Sequence, residues 1–588
     1  MLNLGNQLHI DRLYTAINHS REAMRPFRLN RKRMIEEFVG SYYNSNGAKY
    51  EVLVNLLAIT AETYTIGLAA ENPRVRVSTE HRDLWPFAYR YRCNINKMIK
   101  EMRFAQTHQQ IVLDAFFSIG VSKTFQREWE TIQLEDDVWA DPGRPYVGRV
   151  SPDDFVMDMS VKDIRRCRFM VDEYRVAWES IVNDKSYDPK IVAKLAPSSK
   201  WDRGEEQTHD ITQGSMVDDD DYEPMVDLMD VWLPELNKIG VFARHRQEKP
   251  LKLLDPGPEG GPYDQLIFTD VPDNVMPTSP ASNLMGLHLL YNGLLRKQAR
   301  QAKRQKSNPV FRPTGADDAK RLQRYGDGEW VKTNDPRNVG VVNQGGVDQG
   351  NVAFSMNVYD LWDRSAGNIS AMAGLGAQAD TAKAEELIHR AASRKEAKLI
   401  NRDEAFQARV MSKVGHLMWA DEFLGIESSY EVGRGTGAYV DMSWNVNLRE
   451  GDFWQYNFEV EPYSSNYESP EAKVGKMERL IAVVERMYPL VAQAGGSIDV
   501  QEIVRQYGDL LNFPEADLLV TFATPPNVER PGIQVKSGMP QNTSREYVRR
   551  NVPTGGTQQS RNQIMQQVLG NGSANQDQLD SLSLPGAA

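Results

Sequence analysis

The chain has 588 residues, 40% of them hydrophobic and 25% charged, enough to build several packed domains. A net charge of −11 argues against a protein that coats nucleic acid with a basic surface, although it leaves room for local basic patches. Cys93 and Cys167 are the only cysteines, so neither a disulfide framework nor a structural zinc site is expected.

The opening MLNLGNQLHIDRLYTA has no apolar stretch of signal-peptide length, and no run of about 18 apolar residues occurs anywhere. A protein made in a cytoplasm, with no membrane-spanning helix, is the expectation. Residues 1–125 read mainly as helix, with apolar residues at helical spacing over 50–71 and 96–118. From Gly120 short extended pieces follow: GVSKTFQREW, then YVGRVSPDDFVMDM after the Asp141-Pro142-Gly143 turn. A helical stretch is predicted near Val176–Val182 and a strand over Met225–Leu233. Between them, 202–224 is acidic and aperiodic and reads as an exposed loop. Its Asp218–Asp221 run lacks the Gly-turned pattern of a cation loop, so a solvated charge run is expected.

Ser279-Pro280 predicts an N-cap followed by proline in the first helical turn. An amphipathic helix then covers 281–306, with Leu284, Leu287, Tyr291, Leu294 and Leu295 as its apolar stripe. Arg296, Lys297, Arg300, Lys303, Arg304 and Lys306 crowd its second half, and no acid occurs between Asp273 and Asp317. Residues 307–351 are punctuated by Gly, Pro, Asn and Asp around short β-type runs, EWVKT and VGVVN, which predicts a small module inserted between helices. A second helix is expected over 352–372 and a Gly-rich break over 373–380. Asp380 or Thr381 then caps a helix from Ala382 to Phe423, roughly 60 Å long at 1.5 Å per residue. Leu387, Ile388, Ala391, Ile400, Phe406, Val410, Val414 and Leu417 give it an intermittent apolar face. Trp454, Tyr456, Phe458 and Val460 alternate with polar residues and predict a strand whose apolar side is sheet core. Helices follow from Ser469-Pro470 to about Leu511, and beyond Pro525 the composition is that of a polar tail.

Catalytic signatures are sparse. Gly120-Val121-Ser122-Lys123-Thr124 lacks the glycines of a phosphate loop. The nine histidines are scattered without metal-ligand spacing, and neither HExxH nor a G-x-S-x-G elbow occurs. Nothing singles out a carboxylate cluster for two metals. No enzymatic activity and no cofactor are therefore expected. The helices over 281–306 and 352–423 carry too little apolar face to be satisfied within one chain, which predicts burial against further copies.

Taken in order, these segments resemble the portal proteins of tailed bacteriophages, the head-to-tail connectors, over about 100–465. The similarity lies in the order and character of segments, since such proteins share no invariant signature. It implies an α+β portal-type subunit with a mixed α/β wing over 1–276, which departs from the pattern in its acidic loop 202–224. Stem helix 1 would occupy 277–306, a clip 307–351, stem helix 2 352–372 and a tunnel loop 373–381. A long helix with a wing β segment would cover 382–465, a helical crown 466–525 and a polar C-terminal tail 526–588.

The function implied is that of a homo-oligomeric ring, twelve subunits around a channel for double-stranded DNA, at one capsid vertex of a virion assembled in the host cytoplasm. Terminase would dock during genome packaging, tail or adaptor proteins afterwards, with the major capsid protein around the ring. The same ring would retain the DNA and let it leave at ejection. The DNA-channel candidates are Arg296, Lys297, Arg300, Lys303, Arg304, Lys306 and Lys383. Alternatively, that basic run pairs with acids of an adjacent subunit or complements its helix C-terminus. Gly374, Leu375, Gly376, Gln378 and Asp380 would form the tunnel loop, against the plainer reading of a helix–helix connection. The competing functions are a terminase-like DNA-processing enzyme and a virion adaptor ring that moves no DNA.

Overall fold

The computed structural model describes residues 3–40, 48–128, 143–197, 223–245, 248–255, 260–324, 346–367, 382–431 and 439–461, with shorter pieces at 132–135, 138–140, 208, 332, 335, 337, 339–344, 464–465 and 482. The chain divides into two units, Met1–Ser469 and Pro470–Ala588, and the fold below is that of the first. The tunnel loop 373–381, the crown 466–525 apart from Ala482, and the tail 526–588 lie outside the described residues. So does the acidic loop apart from Thr208, Glu223 and Pro224.

The unit is α+β. Helix α1 (Gln7–Val39) starts on an Asn6 N-cap, whose side chain accepts the Leu8 N–H. Helix α2 (Leu56–Ala69) follows, then strand β1 (Val75–Ser78) and helices α3 (Trp85–Glu101) and α4 (Phe104–Phe117). The single helix expected over 96–118 is therefore two. Arg103 adopts φ 52° between them, a left-handed turn that no glycine announced. Strand β2 (Gly120–Arg127) is central in a three-stranded sheet. It lies between β11 (Tyr263–Leu266) and β5 (Arg144–Val150), with β3 (Ile132–Glu135) and β4 (Val138–Ala140) forming a separate ribbon.

An antiparallel five-stranded sheet runs in the order β10-β9-β8-β7-β6, from Lys252–Leu254, Lys238–Ala243, Met225–Leu233, Met170–Ala177 and Phe155–Met157. Val176 belongs to β7, so the expected helix there begins only at Trp178, as α5 (Trp178–Asn183). Strand β8 is buried on both faces. Met229, Val231 and Leu233 join the core under α1, while Val226 and Leu228 join a smaller core beneath α5 and α6 (Pro189–Val192). Its two carboxylates survive burial because each is paired. Asp227 meets Arg175 at 2.9 Å and Asp230 meets Lys123 at 2.7 Å.

Helix α7 (Pro280–Lys303) begins as its sequence predicts, with Ser279 accepting the Ser282 N–H and proline in the first turn. It ends three residues early, so Lys306 opens strand β12 (Lys306–Phe311) and is not helical. Helix α8 (Ala316–Leu322) and strand β13 (Val339–Gln344) complete the insert, and α9 (Gln349–Ala366) stops at Gly367, whose φ of 113° favours glycine. EWVKT lies outside the described residues except for Lys332.

Helix α10 (Ala382–Ala420) is 39 residues long, about 58 Å. Its second half corrects the expectation that this helix leans on other copies. Ile400, Phe406, Val410, Val414 and Met418 are buried in the chain's own principal core with α2, α3 and α4. It also blocks an edge. The β11 carbonyls of Tyr263 and Gln265 accept from Lys413 at 3.1 Å and Arg409 at 3.0 Å, so no further strand can pair there. A ribbon of β14 (Ser429–Glu431) and β15 (Tyr439–Asp441) follows, and β16 (Asn457–Val460) pairs with β1. The period-two reading holds for Tyr456 and Val460, which are buried. Trp454 is 66% exposed in a turn of 3-10 helix and is not sheet core.

Candidate nucleic-acid interface

Helices α7 and α9 form an antiparallel hairpin, and β12 and β13 continue it. His288 packs against Trp362, Tyr291 against Tyr359, Lys297 reaches Asn351, Lys306 pairs with Gln344 and Phe311 with Val339. From His288–Trp362 and Tyr291–Tyr359 to Lys306–Gln344 and Phe311–Val339 the two chain positions close by equal steps, with the Lys297–Asn351 contact offset by two residues. One register therefore runs unbroken from helical pair into β-ribbon. The polar zipper nearest the changeover is side chain to side chain and backbone. Gln298 donates to the Asn351 carbonyl and the Ser355 hydroxyl at 3.0 Å each, where a leucine pair would fix neither partner's position along the axis.

Ten Lys and Arg but only two acids lie between Arg296 and Arg324, in a chain whose net charge is −11. The structure separates the six basic residues expected to act together. Arg296 is anchored at the hairpin base, where its guanidinium lies 5.2 Å over the Tyr50 ring and donates to the Glu51 carbonyl at 2.7 Å. Lys297 reaches Asn351 Oδ1 at 3.4 Å. Arg300 and Lys303 stand exposed in the last turn of α7, where their charges also suit the helix C-terminus, and Arg304 is the exposed C-cap. Lys306 is placed by its backbone in β12. Lys383 lies in the first turn of α10, and its side chain is outside the described residues. Gly374, Leu375, Gly376, Gln378 and Asp380 are outside them as well.

Sequence reasoning stopped at Lys306 and missed the rest of the patch. Arg312, Lys320, Arg321 and Arg324 are exposed around α8, and Val310 and Phe311 stand open beside them on β12. Counting charge over a window of thirty residues, rather than along one helix, would have found them. No described carboxylate forms an ion pair with Arg300, Lys303, Arg304, Arg312, Lys320, Arg321 or Arg324. Chemically, such a surface suits contact with a polyanion through charge.

Among the described residues, no group of three His, Cys, Asp or Glu is placed to hold a metal ion, and no helix is long and apolar enough to cross a membrane. Compared with known proteins, the chain matches no family model and no curated protein.

Proposed function

We propose that this chain is a portal-type subunit, one of about twelve in a ring that passes double-stranded DNA through a capsid vertex and docks a packaging motor, then a tail or adaptor. The observation that carries this reading is the hairpin with a single register, whose helical part grades into a basic, exposed ribbon. In the resemblance drawn above, two stem helices bracket a clip in this order, and a long helix follows them. Helix α10 stands in that position.

Two further features support it. Leu289 and Leu290 on α7, with Phe354, Met356 and Leu361 on α9, remain exposed, apolar side chains that neighbouring copies would cover in a ring. These cations, which pair with no described carboxylate, suit sequence-independent contact with phosphates, a contact weak enough at cellular salt to let a duplex slide. In this reading the chain performs no chemistry, and ATP is hydrolysed by the motor that docks on it.

Class averages of the purified full-length protein test the proposal. Rings of about twelve-fold symmetry with an axial hole wide enough for a duplex are expected. A population of compact monomers or closed discs would overturn it.

A further inference from the structure

Helix α2, LLAITAETYTIGLA, is apolar nearly all the way round, a composition that belongs to a helix covered on every side. Only part of it is covered. Leu56, Leu57, Ala61, Tyr64 and Leu68 are buried in the main core, but Ile59 and Ile66 are 50% and 49% exposed. Beside them a groove of about 710 Å³ runs between α1, α2 and α4, walled by Phe38, Ala58, Ala61, Thr65, Ala70 and Leu113. Along α2 the wall combines the small side chains of Ala58, Ala61 and Thr65, which let another helix approach closely, with Glu62 and Ile66. Glu62 sits in the middle of the stripe, between Ile59 and Ile66, exposed and without an ion-pair partner among the described residues.

The same chain carries the counterpart. On α9, Phe354 and Leu361 lie two turns apart on one flank, 49% and 52% exposed. Arg364 follows one turn later, exposed and likewise without an ion-pair partner. A bulky stripe with one cation thus matches a groove with one anion, neither of them ion-paired among the described residues.

The two surfaces cannot meet within one subunit, because α7 stands between them. Asn292 and Arg296 of α7 face the segment 50–54 that leads into α2. Tyr291, Gln298 and Gln301 face α9 and the turn before it. At 3.6 residues per turn the centres of the two sets lie about 150° apart around α7.

We infer that the α2 groove of one subunit receives the Phe354–Leu361 flank of α9 from a second copy of this chain, with Glu62 and Arg364 paired across the joint. Because the two surfaces differ, the contact is head to tail. It closes into a ring or runs on as a filament, and does not stop at a two-fold dimer. The inference deepens the ring reading and does not depend on what passes through the ring.

Cross-linking of the full-length chain tests it. With Cys93 and Cys167 replaced by alanine, Ile66→Cys and Phe354→Cys are introduced together and bridged with a short bis-maleimide. A ladder extending beyond dimer is expected from the double variant, and no cross-link from either substitution alone. Dimers from Phe354→Cys alone, or no ladder from the double variant in preparations that form rings, would overturn the contact while leaving the portal reading intact. A ladder from assemblies without an axial hole would do the reverse. As a check that spares the core, Glu62→Arg should weaken assembly about tenfold and adding Arg364→Glu should restore it. Failure of that rescue also counts against the joint.

Discussion

The side chain of Asn292 and the backbone of Val54 bond to each other in both directions. The Val54 N–H donates to Asn292 Oδ1 at 3.0 Å, and Asn292 Nδ2 donates to the Val54 carbonyl at 2.9 Å. The Leu53 N–H shares the same acceptor, so one buried amide on α7 substitutes for the missing strand partner of an extended segment. Replacing it with alanine strands two donors and an acceptor. Asn292→Ala should lower unfolding stability by about 2–3 kcal/mol in urea titrations, whereas Asn292→Asp, which keeps the acceptor, should cost less at high pH. Equal losses for both would show that the acceptor role is irrelevant.

Lys123 lies between the two sheets, donating to Asp172 at 2.9 Å and Asp230 at 2.7 Å, while the Tyr174 hydroxyl donates to the other Asp230 oxygen. Lys123→Met would leave two buried carboxylates without a cation, a loss of about 3–5 kcal/mol. Adding Asp172→Asn and Asp230→Asn should recover part of that loss in the same unfolding assay. A triple variant no better than the single one would locate the damage in packing, not charge.

Arg300, Lys303 and Arg304 are exposed and make no ion pair with a described carboxylate, so neutralising all three to glutamine should change stability by less than about 0.5 kcal/mol each. Binding of the assembled protein to duplex DNA should weaken, and its dependence on salt should become shallower. An unchanged salt slope would mean the run touches no phosphate.

Burial alone would raise the pKa of Asp153, but the Arg31 charge at 3.0 Å and the Thr208 N–H at 3.0 Å outweigh it and hold the carboxyl below the usual range. A depressed folded value means the unfolded chain takes up the proton first. The stabilisation is full above about pH 4 and is lost as pH falls through the folded value. Urea midpoints measured from about pH 6 down to pH 3 should fall less steeply for Asp153→Asn than for the natural chain.

At Gly415, α10 meets α3 through a hydrogen bond. The Tyr91 hydroxyl donates to the Gly415 carbonyl, and a Cβ there would come within 2.7 Å of the Phe458 ring. Gly415→Ala gains helix propensity but overpacks this junction, so a net loss of about 1–2 kcal/mol is expected from thermal unfolding. A stabilised variant would show that Phe458 has room to move.

Elements with strong local punctuation were legible from the residues alone. Ser279-Pro280 fixed the start of α7, and the Met225–Leu233 run fixed β8 to the residue, because capping and turn chemistry act over a few neighbours. The break at Arg103 was invisible, since a left-handed arginine has no compositional mark; it lies exposed between the buried Met102 and Phe104. The exposure of Trp454 was equally hidden. Its alternation with Tyr456 continues a strand pattern past the point where the backbone leaves the sheet. Of the basic patch, the helical half was legible as a run, and the half around α8 was not, because Arg312, Lys320, Arg321 and Arg324 are spread over a loop and a second helix and form no run on one element.

The common register of helices and ribbon has a consequence for how this insert can vary. A residue added to or removed from one arm would slide every rung on one side of it, between His288–Trp362 and Phe311–Val339, and turn the ribbon side chains beyond it to the opposite face. Length changes in the arms are therefore tolerable only as matched pairs, one on each strand of the hairpin. Homologues should conserve the difference in length between the arms more strictly than the identity of the residues along them.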